Sequence, residues 1–287
     1  MTFRSSTKAL LVAASLTVAA AAPAFAAGKG AQIERQSWSF SGITGQFDEA
    51  QLQRGFAVYR QVCASCHGLT RVAFRQLAEA GGPNFPEEEV KALAQEYEVA
   101  GPVDDDGEAT TRPARLADTF PPLYPNVKAA RAAHGGAYPP DLSLITKARG
   151  VPHPEGVVTH TLTMARDMVT GYQEGGADYV KALLVKYQDP PEGVEEKDGL
   201  YYNAAYPGNW IAMAPPLLDD MGLYGDNPTV PETATQYAKD VSAFLYWAAD
   251  PKHDVRKQTG WLALIYLLIT AVLLYITKRA IWKKVKH

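Results

Sequence analysis

Cysteine is scarce. Cys63 and Cys66 are the only two in 287 residues. With none to spare there is no structural disulfide, and a four-cysteine zinc site is excluded. No His-x3-5-His pair occurs to complete a mixed zinc site. Basic charge is also short over most of the chain. Ala27–Thr277 carries 21 basic against 31 acidic residues, a balance of −10. That balance argues against nucleic acid as a partner. It favours a basic protein, because complementary fields speed encounter. There is no internal repeat and, beyond the N-terminus, no low-complexity segment.

What the chain does have is Cys63-Ala64-Ser65-Cys66-His67, a C-x-x-C-H pattern for covalent attachment of haem c. Two thiols three residues apart lie on one face of a helical turn and reach two vinyl edges of one porphyrin. The next residue, His67, is placed under the ring to offer its imidazole to iron. A redox dithiol is the rival reading, but it belongs beside a βαβ pattern, which is missing here.

Both ends read as membrane-directed. Arg4 and Lys8, then the apolar Ala9–Ala22, then Ala24-Phe25-Ala26, describe a secretory signal over residues 1–26, with the mature chain starting at Ala27. Gly260–Thr277 is uncharged and apolar. Its length corresponds to roughly 27 Å of helix, close to the ~30 Å hydrocarbon core. An anchor is therefore expected over 258–278, with a basic tail over 279–287. Lys278, Arg279, Lys283, Lys284 and Lys286 place that tail in the cytoplasm and the body, 27–257, in the periplasm.

Between the ends the pattern is mainly α with long loops. Leu52, Phe56, Tyr59 and Cys63 recur at steps of four, three and four after Asp48, so one apolar face leads into the haem motif. Further helices are expected over Glu87–Val99, Asp141–Ala148, within Pro152–Gly171, over Asp178–Tyr187 and over Thr233–Ala249. The last should open with a Thr233–Gln236 capping box and pack across the first helix. Arg112–Pro140 is loop-rich and carries six prolines, and Lys252–Gln258 is a polar linker. Met164 and Met168, one turn apart, read as core. Three acidic runs, Glu87–Glu89, Asp104–Asp106 and Glu192–Asp198, are candidate docking surfaces.

A second iron ligand is sought by residue type. Met213 stands in Gly208-Asn209-Trp210-Ile211-Ala212-Met213-Ala214-Pro215-Pro216, a stiff, proline-bounded loop that aims one side chain. Met164, Met168, Met221, His134, His153 and His160 remain candidates on type alone.

From Phe47 to the C-terminus the chain resembles cytochrome c1, the haem c subunit of the cytochrome bc1 complex. The resemblance rests on Arg54-Gly55-Phe56, Val58-Tyr59, Gln61-Val62-Cys63 and Ser65-Cys66-His67. Pro139-Pro140-Asp141-Leu142-Ser143, Ala148-Arg149, Asp178-Tyr179-Val180, Met213-Ala214-Pro215-Pro216, Ala238-Lys239-Asp240-Val241 and Trp247-Ala248-Ala249 follow in order. It implies one haem c on Cys63 and Cys66, His67 and Met213 as axial ligands, Arg149 pairing with a propionate, and Tyr179 and Pro140 lining the pocket. It implies cytochrome b, a Rieske iron–sulfur protein and a soluble basic cytochrome c as partners, in a dimeric quinol–cytochrome c reductase. The chain itself would do no bond chemistry. It departs from relatives at His134-Gly135-Gly136-Ala137, and Val151–Glu174 looks inserted relative to mitochondrial members. An anchored cytochrome c serving another partner, such as a terminal oxidase, shares every feature read from the residues and differs only in the family blocks. A haem sensor or peroxidase is of another class and needs an open iron position, which Met213 as a ligand would close.

Overall fold

The computed structural model describes residues 33–152, 156–225 and 230–283. The signal and cleavage readings, His153, and Lys284 and Lys286 of the basic tail lie outside the described residues. In chain order the helices are α1 (Glu49–Gln61), α2 (Glu87–Gln95), α3 (Val127–Ala133), α4 (Ile145–Ala148), α5 (Val157–Thr170), α6 (Gly175–Val185), α7 (Ala234–Ala249) and α8 (His253–Trp282). The strands are β1 (Glu98–Val103), β2 (Ala109–Pro113), β3 (Tyr201–Tyr202) and β4 (Trp210–Ile211). They form two short antiparallel pairs, β1 with β2 and β3 with β4. The class is mainly α.

The core is the crossing of α1 and α7. Asp48 caps α1, accepting from the Gln51 amide at 3.1 Å, and Leu52, Phe56 and Tyr59 form the buried face that the spacing predicts. Along α7, Tyr237, Val241, Phe244, Leu245 and Ala248 are buried, and so are Tyr246 and Trp247. Burial of each large apolar side chain contributes ~1.5–3 kcal/mol. The crossing is close because Gly55 sits at it: a Cβ there would lie 2.2 Å from the Asp240 carbonyl oxygen. Thr233 caps α7 through the Gln236 amide at 3.2 Å, but the Gln236 side chain turns to Asp240 instead of back to the cap. Half of the expected capping box is made.

Five local expectations need correction. The helix expected over Asp141–Ala148 is confined to Ile145–Ala148, and the one expected over Asp178–Tyr187 is Gly175–Val185. The helix starting at Glu87 ends at Gln95, and Glu98 and Val99 belong to β1. Tyr97 is drawn out of helical register by packing on Phe74 and Phe120, each with ring centroids 5.4 Å away. The Asp104 carboxylate then folds the hairpin turn by accepting from the Asp106 and Glu108 amides at 3.0 and 2.8 Å. Met164 and Met168 are not core: they are 52% and 80% exposed. The Lys252–Gln258 linker is helical from His253 onward, as the first turns of α8.

α8 has 30 residues and, among the described residues, is the one helix long and apolar enough to cross a membrane. Its first turns are built into the body. His253 is 1% exposed and packs on Phe47 at 5.1 Å between ring centroids. The Lys257 ammonium donates to the carbonyls of Phe40, Gly42 and Gly45 at 2.7, 2.5 and 3.3 Å.

Candidate haem-binding site

α1 delivers the cysteines. Its end passes through Val62 into a single tight turn, Cys63–Ser65. The Cys63 carbonyl accepts from both the Cys66 and His67 amides, at 3.1 and 2.9 Å, so the two thiols and the imidazole leave one turn. Tyr59, on the buried face of α1, donates from its hydroxyl to the His67 carbonyl at 3.1 Å.

The Pro139–Ser143 segment closes on this turn. His67 Nδ1 lies 2.7 Å from the Pro140 carbonyl oxygen. A carbonyl only accepts, so Nδ1 carries the proton and the lone pair is on Nε2. Burial lowers the His67 pKa below its ordinary value, only partly opposed by the Pro140 carbonyl, which keeps the ring neutral. Next to it the Asp141 carboxylate accepts from the Thr70 amide and hydroxyl, both at 2.9 Å, and from the Ser143 amide at 2.8 Å. Burial would raise this carboxyl, but the Ser143 and Thr70 hydrogen bonds outweigh it and hold the pKa below the usual value. Two thiols on one turn and a neutral imidazole with a free Nε2 are a donor set that fits a c-type haem.

Met213 is partly buried in the loop after β4. Its backbone carbonyl accepts from the Tyr187 hydroxyl at 3.0 Å. Downstream, the loop returns to α1 and α7: Gln61 donates to the Leu223 carbonyl at 3.1 Å, and the Tyr224 hydroxyl to Asp240 at 2.8 Å. Asp240 is fully buried and also accepts from Gln51, Arg54 and Gln236 at 2.9, 2.7 and 2.9 Å. Tyr179 is 5% exposed on α6, where burial raises its phenol pKa and the charge of Arg149 lowers it, so the two stand in one neighbourhood.

The other residues considered by type are placed elsewhere or otherwise engaged. Met221 Sδ accepts from the Leu218 amide at 3.2 Å, and Met164, Met168 and His160 stand on exposed α5. His134 Nε2 is 2.7 Å from the Tyr124 hydroxyl. When protonated it would further lower the His67 pKa, which puts the two rings in the same neighbourhood. Pattern alone did not reveal the supporting roles of Tyr59, Asp141, Tyr187 and Tyr224, since each acts through a hydrogen bond that no periodicity encodes.

Comparison with known proteins extends the site to the whole chain. A model of the cytochrome C1 family matches residues 38–285. Over 246 residues the chain is 48% identical to "Cytochrome b/c1" of Bradyrhizobium diazoefficiens, covering 85% of this chain but 35% of that longer relative. It is 46% identical over 273 residues to "Cytochrome c1" of Blastochloris viridis, covering 93% of this chain and 92% of the relative. "Cytochrome b-c1 complex catalytic subunit, mitochondrial" of Candida albicans is 43% identical over 252 residues, covering 88% and 77%. A match of this extent, through the Cys63–His67 turn and into the terminal helix, makes the chain a member of the cytochrome c1 family, the electron-transfer subunits with c-type haem of the cytochrome b-c1 complex.

Proposed function

We propose that this chain passes single electrons from a Rieske iron–sulfur protein to a soluble basic cytochrome c, as the haem c subunit of a dimeric bacterial bc1 complex. Haem c, when bound, supplies the reversible one-electron couple. The chain's residues hold and tune it. Cys63 and Cys66 carry the two thioethers, and His67 offers Nε2 to iron. Met213 would supply the second iron ligand, a thioether that favours ferrous iron and raises the potential. Arg149 pairs with a propionate, while Tyr179 and Pro140 line the pocket. The haem domain faces the periplasm after removal of residues 1–26, and the basic cluster from Lys278 onward stays in the cytoplasm.

The observation that carries this reading is the His67 Nδ1–Pro140 contact at 2.7 Å, which leaves Nε2 free on the turn that bears both thiols. The test is a reduced-minus-oxidised visible spectrum of the chain purified by its own tag from gently solubilised membranes. Bands of b-type haem beside the c-type band, with a co-purifying iron–sulfur protein, are expected. A c-type band alone would make the protein a free-standing anchored cytochrome c. Carbon monoxide binding to the native reduced protein would oppose Met213 ligation.

A further inference from the structure

α5 turns its apolar side chains away from the protein. Along Val157–Thr170 only Thr163 and Asp167, one turn apart, are partly buried. Asp167 fastens the helix: its carboxylate accepts from Arg35 at 2.5 Å, and the Arg35 guanidinium lies 3.8 Å from the centre of the Tyr172 ring. At 100° per residue, the positions within about 60° of the direction opposite this edge are Val158, Leu162, Ala165, Met168 and Val169, together with Thr161, whose hydroxyl donates to the Val157 carbonyl at 2.7 Å. None is charged, and the four larger apolar ones are 65% to 87% exposed. A contiguous apolar face of this kind marks an interaction surface.

The level of the helix says what the surface meets. Gly171 caps α5 in the left-handed region (φ +65°) and lines a groove with Ile43 and with Gly260, Trp261 and Leu264 of α8. Gly260 begins the uncharged run of α8, so α5 ends where the span enters hydrocarbon. Arg256 and Lys257 line the same groove, at the level of lipid headgroups. The C-terminal end of α5 thus meets α8 at the start of the span, and the polar edge of α5 is held on the haem domain.

We propose that α5 is an interfacial helix, lying on the bilayer surface beside α8 with its Val158–Leu162–Met168 face in the boundary between headgroups and acyl chains. The haem domain then rests on lipid through α5 as well as through its anchor. The proposal depends on α8 spanning the bilayer, and it goes beyond electron transfer.

The test uses the haem-loaded full chain in phospholipid nanodiscs, each variant carrying one nitroxide label. With Cys63 and Cys66 taken by haem, the introduced cysteine is the reactive thiol. Labels at Val158→Cys, Leu162→Cys and Met168→Cys are compared with Leu268→Cys in α8 and Asp105→Cys at the acidic hairpin tip. Accessibility to dissolved oxygen, which concentrates in lipid, is divided by accessibility to a water-soluble nickel chelate. The α5 labels are expected to exceed Asp105→Cys several-fold and to approach Leu268→Cys. Values equal to Asp105→Cys in the nanodisc overturn the proposal. They do so whether the labels stay exposed in the intact complex or become protected there by another subunit. A water-like Leu268→Cys label would instead remove the span itself, and the proposal with it.

Discussion

The Tyr187 hydroxyl donates to the Met213 carbonyl at 3.0 Å, tying the methionine loop to the chain just beyond α6. Burial raises the Tyr187 phenol pKa, so it remains a protonated donor throughout the neutral range. The loop has no disulfide to stiffen it, and this bond and the Tyr224–Asp240 bond restrain it instead.

Met213→Leu should leave haem attached and lower the midpoint potential by more than ~59 mV, a tenfold change for a one-electron couple. Tyr187→Phe should lower it less, since it removes one hydrogen bond worth about 1 kcal/mol and leaves the ligand in place. Potentiometric titration of both variants checks the order. An unchanged potential in Met213→Leu would remove Met213 from the iron.

Gly55→Ala should destabilise the haem domain by roughly 1–3 kcal/mol, the usual cost of overpacking a core. The added Cβ meets the Asp240 carbonyl oxygen at 2.2 Å and Phe244 Cβ at 2.7 Å, and neither is the end of a flexible side chain. Thermal unfolding followed through the haem absorbance reads the loss. An unaltered melting temperature would mean that α1 and α7 separate without cost.

Neutralising an acidic docking run should slow reduction of a basic cytochrome c, mostly at low salt. At the hairpin tip the variant should be Asp105→Asn with Asp106→Asn. Asp104 must stay, because its carboxylate folds the turn. Glu87–Glu89 and Glu192–Asp198 supply the parallel variants. Stopped-flow rates that keep their salt dependence in all three would place docking elsewhere.

Acid should open the base of the β1–β2 hairpin. Paired hydrogen bonds from Arg112 at 2.7 and 2.9 Å, aided by the Arg115 amide, pull the Asp118 pKa from 3.8 to about 2. A depressed carboxyl stabilises fully above its unfolded value, and the contribution is lost as pH falls toward the folded one. The protection of hairpin amides, measured as exchange relative to the intrinsic rate at each pH, should therefore fall between about pH 4 and pH 2. In Asp118→Asn the hairpin should exchange faster at neutral pH, and that acid-range step should vanish.

Some of this architecture was legible in the sequence because its signals are local. The spacing of Leu52, Phe56, Tyr59 and Cys63 gave the buried face of α1, and the uncharged run from Gly260 gave the span. The rest depends on partners far apart in the chain. Glu98 and Val99 read as the end of a helix because their strand partners, Pro113 and Arg112, lie beyond an acidic turn. Met164 and Met168 read as core because periodicity reports which residues share a face, and says nothing of whether that face meets protein. Pro140 was identified by resemblance, but its contribution to His67 comes from a backbone oxygen that every residue type carries.

The three carbonyls around Lys257 have a mechanical consequence. The anchor enters the body as a helix already gripped by Phe40, Gly42 and Gly45, with His253 packed behind it. No slack segment lies between membrane and haem domain, so the domain cannot swing on its stem. With α8 across a bilayer, the site would stand at a set height and orientation above it. Any shortening of the gap to a donor or an acceptor must then come from travel of the partner.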